Sequence, residues 1–256
     1  MRARVSSLWL PRTGCGPGEY QDAFYPRVGG ERSGPRLRFA LADGATESLL
    51  SGRWADLLVR SYCRAPVRQV AGVLDGAREV WRRQQLTYPQ QREDAGRPIQ
   101  WFEERGLARG AHATFLGLQL TSGRGAARRG GWSAVAIGDT CLFHVRDARL
   151  LASFPIEEPE RFSSSPPLVT SLRHGAPQDK AEAIRGDWRS GDSFVLATDA
   201  LAQWFLEATA GGRHPAVELG EATAAGPAPF AQWVQERRSR REMTDDDVTA
   251  VTVDLL

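Results

Sequence analysis

Three aspartates stand where apolar runs end or begin. Asp43 follows Phe39-Ala40-Leu41-Ala42, Asp199 follows Phe194 to Thr198, and Asp246 precedes the run from Val248 to Leu255. A buried strand that delivers Asp43 to its own end, with Gly44 letting the backbone come close, makes a corner suited to a metal ion. If the third strand runs antiparallel to the other two, all three carboxylates reach the same edge of the sheet. Bare carboxylates held that close repel one another, and some must stay protonated. A hard divalent cation removes the conflict. Oxygen ligands without His or Cys suit Mg²⁺ or Mn²⁺ rather than Zn²⁺. Asp followed by Gly is also a common turn, so three independent strand-end turns are the competing reading.

Other chemistry is poorly supported. The four histidines (His112, His144, His174 and His214) show no HxxxH pattern and read as surface or packing residues. Cys15, Cys63 and Cys141 are odd in number and widely spaced, which indicates neither a disulfide framework nor a zinc site and fits a reducing cytoplasm. The formal net charge of +2 points to neither a nucleic-acid binder nor an acidic tail. Lys180 is the only lysine among many arginines. The apolar part of Met1 to Leu10 is too short for a signal peptide and is broken by Ser6 and Ser7, and no run approaches the length of a membrane span. A chain of 256 residues suits one large domain or two small ones, and no linker or internal repeat divides it.

The elements that must position the aspartates follow from periodicity. Arg2 to Leu10 alternates weakly, as an edge strand would, and Pro11 to Gly18 is a turn region. Arg27 to Pro35 reads as a hairpin loop, and Arg36 to Ala42 is the strand leading to Asp43. Leu49, Leu50, Trp54, Leu57, Leu58 and Tyr62 form the stripe of an amphipathic helix, which Pro66 ends. Val67 to Trp81 marks a second helix, Gln84 to Pro98 a polar loop, and Ile99 to Leu107 a short helix. The period then becomes that of strands: Ala113 to Leu120, Trp132 to Ile137, Cys141 to Val145 and Leu150 to Phe154 form a meander, with a loop at Ser122 to Gly131 and a tight turn at Gly138-Asp139-Thr140. Residues 155–192 have little periodicity and read as a long loop that is either functional or mobile. Ser193 to Thr198 is a strand, Leu201 to Ala208 a helix, Gly211 to Pro229 a loose connection, and Phe230 to Arg241 a basic helix. Arg237, Arg238, Arg240 and Arg241 read as its solvated face. Val248 to Leu255 is the closing strand.

Six segments in order resemble the motifs of the metal-dependent Ser/Thr protein phosphatases, the protein phosphatase 2C-like, PPM-type family. They are YQDAF at Tyr20 to Phe24, LADGA at Leu41 to Ala45, ATFLGL at Ala113 to Leu118 with Thr114, AIGDTCLFHVRDARL around Asp139, GDSFVLATDAL containing Asp199, and DDDVTAVTV from Asp245. DGATES followed by a Trp-containing helix is most similar to a bacterial subgroup. The resemblance implies an α+β fold, a four-layer α-β-β-α sandwich of two antiparallel sheets flanked by helices, with residues 1–256 as a single catalytic domain and a flap-like loop at about 155–192. It implies two Mn²⁺ or Mg²⁺ ions at one end of the sandwich: Asp43 bridging both, the Gly44 carbonyl on the second, Asp199 and Asp246 on the first, and Asp22 supporting the second largely through water. Asp139 would be half of a third site. The implied reaction is hydrolysis of phosphoserine or phosphothreonine in proteins by a metal-bridged water, with no covalent phosphoenzyme. The implied partners are a phosphoprotein substrate and an opposing Ser/Thr kinase in the cytoplasm, without nucleic acid or membrane; the oligomeric state is not readable.

Several family positions are altered. Pro17 stands where members carry the Arg that grips substrate phosphate, and Arg12 is the candidate substitute. Gln21 replaces a motif Glu, Ala45 stands where some members have a His, Ala200 follows Asp199 in place of Gly, Gln203 replaces a third-metal Asp, and Asp247 replaces Asn. Thinned accessory groups around intact metal ligands leave two alternatives open: a catalytically weak phosphatase-fold module acting as a regulatory binding protein, and a phosphatase for a small phosphate ester.

Overall fold

The computed structural model of the protein describes residues 1–64, 70–123, 128–172 and 180–256. Pro66 and Val67, His174 and part of the expected 122–131 loop lie outside the described residues. Four strands come first: β1 (Arg2–Leu10), β2 (Ala23–Tyr25), β3 (Gly30–Ser33) and β4 (Arg36–Ala42). The helices α1 (Ser51–Arg64), α2 (Val70–Asp94) and α3 (Trp101–Arg109) follow. Next are β5 (His112–Ala113), β6 (Phe115–Ser122), β7 (Arg129–Ile137), β8 (Cys141–Arg146), β9 (Arg149–Phe154), a single 3₁₀ turn at Pro159–Arg161, β10 (Val169–Thr170), β11 (Glu182–Arg189) and β12 (Ser193–Ala197). The chain closes with α4 (Asp199–Ala210), α5 (Pro215–Ala224), α6 (Pro227–Ser239) and β13 (Val248–Leu255).

The strands form a six-stranded sheet, β3-β1-β13-β12-β8-β9, and a five-stranded sheet, β11-β7-β6-β4-β2, with a small ribbon of β10 and β5 beside them. All named pairings are antiparallel. Three apolar layers separate the elements. Phe39, Leu41, Leu116, Leu118, Phe194, Leu196, Val251 and Val253 fill the space between the sheets. Trp54, Leu58, Leu74 and Trp81 of α1 and α2 pack on Ala40, Ala42, Phe115 and Ile137. Trp204, Phe205, Phe230 and Val234 of α4 and α6 pack on Phe143, Val195, Ala197 and Ala250. The result is the expected α-β-β-α sandwich. Central strands read as unbroken apolar runs because both faces are covered. In β4 the large Phe39 and Leu41 point between the sheets, while the small Ala40 and Ala42 let α1 sit close. No helix among the described residues is long and apolar enough to cross a membrane.

Several local expectations are corrected. β1 is not an edge strand: it lies between β3 and β13, and β3 occupies part of the expected hairpin loop. The predicted polar loop after Gln84 is helical, since α2 runs through Pro89 to Asp94. Gln and Arg are good helix formers, Tyr88 is buried, and Arg92 donates to Tyr88 Oη at 2.9 Å and to Glu103 of α3 at 3.0 Å. The expected meander is divided between the sheets, because the turn at residues 138–140 carries the chain from β7 in one to β8 in the other. The long loop contains β11, where buried Trp188 alternates with charged neighbours around a turn-like Gly186. The loose connection contains α5. The basic run is not one solvated face: Arg237 is buried against Trp233 and pairs with Glu218 at 2.8 Å, while Arg240 and Arg241 are exposed.

Away from the aspartate ends, the turn before β12 is fixed by a buried ion cluster. Asp192 accepts from Arg146 Nε at 2.7 Å and Nη2 at 2.8 Å, from His144 Nε2 at 2.9 Å, and from the Arg189 N–H at 2.9 Å. Burial alone would raise this carboxyl, but Arg146, the Arg189 N–H and His144 outweigh it and pull it down to about 2. The cluster therefore stabilises the fold above the ordinary carboxylate value, and that stability is lost as pH falls through about 2. Removing one partner of a buried pair leaves the other uncompensated, so Asp192→Asn is expected to lower unfolding stability by about 3 kcal/mol in urea titrations near neutral pH. The deficit should shrink as the titrations are moved toward pH 2.

Candidate active site

Asp43 leaves the end of β4 and is pinned at once to the other side of a strand junction. Its carbonyl accepts the Thr114 N–H at 2.8 Å, its N–H donates to Thr114 Oγ1 at 3.2 Å, Gly44 bridges Ala113, and the Ala45 N–H donates to the His112 carbonyl at 3.0 Å. In an antiparallel junction directly opposed residues share a face and alternate residues return to it. Asp43, Ala45, His112 and Thr114 accordingly all line one cavity. Thr114 interrupts the single strand expected over Ala113 to Leu120, separating β5 from β6. Gly44 is required by its surroundings: a Cβ there would lie 2.7 Å from the Gln21 carbonyl oxygen and 2.9 Å from the Ser51 carbonyl carbon. Gly138, with φ of +100°, turns the chain so that Asp139 enters the same space, and a Cβ on it would meet Thr114 at 2.7 Å.

The remaining carboxylates arrive by register. Ala23 pairs with Ala42, so Asp22 falls opposite Asp43, and the Asp22 charge helps to raise Asp43. Thr249 Oγ1 donates to Asp22 Oδ2 at 2.6 Å, and the Tyr20 hydroxyl bonds to Thr249 in turn. Asp22 Oδ1 is buried without a partner. On the facing sheet Ala197 pairs with Ala250, which brings Asp199 and Asp246 together just beyond the strands. Asp199 Oδ1 accepts the Ala200 N–H at 2.6 Å, and Asp246 Oδ1 accepts the Asp247 N–H at 2.8 Å. The carboxylates thus come from both sheets at one end of the sandwich, not from one sheet edge as expected, because β4 and β12 belong to different sheets.

Asp43, Asp139, Asp199 and Asp246 line a cavity of about 650 Å³ with Thr46, Glu47, Ser48, Arg109, His112, Ser163 to Ser165 and Leu168. A larger cavity of about 1260 Å³ lies between α1 and α2 and contains none of these four aspartates, so the smaller one is the chemically equipped site. Burial raises every carboxyl in it whose shift is resolved, and neighbouring charge adds to the effect. Asp43 lies well above the ordinary range, through burial and then Asp22 and Asp199. Burial also raises Asp22. Asp139 reaches about 7 through burial and Asp199, and Asp199 about 6 through burial and Asp246. Among the described residues no three His, Cys, Asp or Glu side chains are drawn around a single point as a ready metal cage. The chemistry nevertheless fits a hard divalent cation: oxygen donors, mutual repulsion, and a buried carboxylate oxygen with nothing to bind.

Other candidates lie elsewhere. Arg12 does not line the cavity; its Nε donates to Cys15 Sγ at 3.1 Å. Asp247 is an anchor, accepting the Arg12 N–H at 2.9 Å and the Gln21 N–H at 2.8 Å. Gln203 pairs with Glu207 at 2.8 Å. Arg238 donates to the Pro11 carbonyl at 3.1 Å and to the Asp246 carbonyl. His144 belongs to the Asp192 cluster and His214 is exposed. His112 is half-buried and lines the cavity. Its signal is the His-Ala-Thr spacing, which puts it on the same face as Thr114.

Residues 19–244 match the family model described as protein phosphatase 2C. The chain belongs to that family. Among solved structures it resembles PppA, a regulatory component of the T6SS in Pseudomonas aeruginosa, at 16% identity, with 99% of this chain and 98% of that one covered and a TM-score of 0.55. It resembles the serine/threonine phosphatase PstP/Ppp of Mycobacterium tuberculosis at 18% identity, 100% and 99% coverage and a TM-score of 0.54. It resembles RsbX, solved with magnesium, at 14% identity, 100% and 96% coverage and a TM-score of 0.54. No curated protein matches the chain in sequence. At such identities the structural likeness is one of fold, and the sandwich of this phosphatase-family chain is the fold they share.

The raised carboxyls give a pH test. In metal-free protein their contribution to stability is complete below the ordinary carboxylate value. It is lost as pH rises through about 6 for Asp199 and about 7 for Asp139. The thermal midpoint of metal-free protein, followed by calorimetry, is expected to fall between about pH 5 and 8. Asp139→Asn is expected to flatten that fall, and Mn²⁺ to raise the midpoint most at the alkaline end.

Proposed function

We propose that the chain is a metal-dependent phosphomonoester hydrolase acting on phosphoserine and phosphothreonine in proteins. The observation that carries this reading is the meeting of carboxylates from both sheets in one cavity, with Asp22 Oδ1 buried and unpartnered. Family membership supports it, as does the pair of manganese ions in a PstP catalytic-domain structure, 17% identical with 98% of each chain covered and a TM-score of 0.50. Two Mg²⁺ or Mn²⁺ ions would be held by Asp43 between them, by Asp199 and Asp246 on one, and by the Gly44 carbonyl and Asp22 on the other, with Asp139 toward a third. Such ions, when bound, lower the pKa of water and neutralise phosphate charge.

The chain's own groups orient these ligands. Thr114 fixes the Asp43 backbone, Thr249 turns one Asp22 oxygen away so that the other is free, and the Ala200 and Asp247 N–H groups each hold one oxygen of Asp199 and Asp246. Among the described residues Arg109 is the only Lys or Arg lining the cavity, and no carboxylate partner is found for it there. We assign it, in place of Arg12, to the anionic substrate. Ser163 to Ser165 make the segment before β10 part of the wall, consistent with a substrate-selecting flap in a single catalytic domain over residues 1–256. The expected setting is the cytoplasm, with an opposing Ser/Thr kinase.

A second reading, a weakly catalytic regulatory binding module, is favoured by Pro17 and by Arg12 being engaged with Cys15. The two separate in an assay of a phosphothreonine peptide with Mn²⁺, Mg²⁺ or chelator. Hydrolysis should require the metal and fall at least about 10²-fold in Asp43→Asn. Folded, metal-loaded wild type without turnover would favour the binding module. Arg109→Ala is expected to raise KM for the peptide about tenfold, the value of one charge-assisted contact, with a smaller change in kcat.

A further inference from the structure

We propose that β11 is the pairing edge of a homodimer, in which it lies antiparallel against β11 of a second copy about a two-fold axis at Gly186. The two five-stranded sheets then run on as one.

The edge is open. β11 is the last strand of its sheet, and among the described residues only β7 pairs with it. The Ser190 N–H donates to the Arg128 carbonyl at 2.8 Å, which continues the β11–β7 register by one pair of directly opposed residues. Main-chain groups alternate sides along an antiparallel strand. Glu182, Ile184, Gly186 and Trp188 therefore bond to β7, and the N–H and carbonyl groups of Ala183, Arg185 and Asp187 point outward. Beyond them the Arg189 N–H is taken by Asp192 at 2.9 Å, which ends the free run. Proteins blunt such an edge with proline, a bulge or a row of like charges. β11 has none of these: its sequence is EAIRGDWR, and its register against β7 is unbroken.

The strand is complementary to itself. Centred on Gly186, the pairing sets Arg185 opposite Asp187 of the second copy, Asp187 opposite its Arg185, and Ile184 opposite its Trp188. Arg185 and Asp187 are exposed on the outer face, and no ion pair is found for either among the described residues. Their outward main-chain groups make each Arg185–Asp187 pair a hydrogen-bonded one. Opposite charges placed directly across two strands attract, and like charges repel. Slipping the register by two residues sets Asp187 opposite Asp187 in one direction and Arg185 opposite Arg185 in the other, so charge selects the register centred on Gly186. On the inner face Ile184 is half-buried at the margin of the apolar layer that holds Trp188, and pairing completes its cover. Gly186 puts no side chain at the axis and has no room for one, since a Cβ there would lie 2.8 Å from Trp132 Nε1. No residue of β11 lines the carboxylate cavity, so association leaves that cavity as it is.

The test is sedimentation equilibrium of the full chain over about 1–300 µM, a range suited to the small interface of a single strand pair. Wild type is expected to be a reversible monomer–dimer mixture whose dissociation constant rises with salt. Arg185→Asp and Asp187→Arg each set like charges opposite one another at both symmetric positions, and each is expected to raise the dissociation constant about tenfold or more. Mixed one to one, the two variants face Asp against Arg at every charged position and should associate at least as tightly as wild type, which damage to the fold could not produce. Hydrogen exchange of the wild type gives a reading without substitutions: with rising concentration the Arg185 and Asp187 amides should slow, while the Gly186 amide, already bonded to β7, should not. Wild type that stays monomeric throughout would leave the edge to a strand of another protein and overturn the proposal. A dimer that both variants leave unchanged, or losses that mixing does not repair, would also overturn it. If either variant fails to fold, the exchange pattern decides, and dimerisation without slowing at Arg185 and Asp187 overturns the assignment.

Discussion

Like charge, buried and brought close, is the constraint around which this chain is built. Asp43 faces Asp22 on one sheet, and Asp199 lies beside Asp246 on the other. Burial first, and then the neighbouring like charges, shifts the resolved carboxyls upward. Such an arrangement persists only if the rest of the fold over-determines it. Three packed layers do this, because the strands that deliver the aspartates have both faces buried and cannot slip by one residue without exposing a core face.

Beneath the carboxylates, hydroxyls and main-chain groups decide which oxygens remain free. Thr114 serves the backbone of Asp43 and bonds to Thr140; Thr249 serves Asp22 and is itself held by Tyr20, which packs on Trp9 at 4.5 Å. These hydroxyls can donate or accept as needed, so they hold an anionic group without adding charge. Hydrogen bonds behind a set of carboxylates fix which way their oxygens point. Asp247 extends the same logic outward. Its two oxygens take the N–H groups of Arg12 and Gln21, which an amide at that position could not do with both of its atoms.

The sequence displayed the sandwich well wherever period and burial coincided. The runs into Asp43 and Asp199, the stripe around Trp54 and the closing strand after Asp246 each appear with boundaries within a few residues of those expected. It was less transparent where tertiary contacts overrode local signals. The polarity after Gln84 hid a helix that Tyr88 and Arg92 hold in place, and the weak periodicity before Asp192 hid β11. Arg237 resembled a solvent-facing charge but lies under Trp233. In the site, the aspartates were legible because a carboxylate at the end of an apolar run is conspicuous. The place of His112 in the cavity wall was not, because it depends on pairing with Ala45 across 67 positions of chain, a relation no local pattern contains.

The pairing of β1 with β13 has a consequence for biosynthesis. Leu10 lies against Val248 and Ala3 against Leu255, so the interior of the six-stranded sheet is completed by its earliest and latest segments. During translation β1 must wait, unpaired on that side, until the closing strand emerges from the ribosome. The same strand carries Asp246 and Thr249 into place. Assembly of the sheet and assembly of the carboxylate cluster are therefore one event, and neither is complete until β13 has been made. Long-range closure of this kind slows folding, and it ties completion of the carboxylate cluster to completion of the six-stranded sheet.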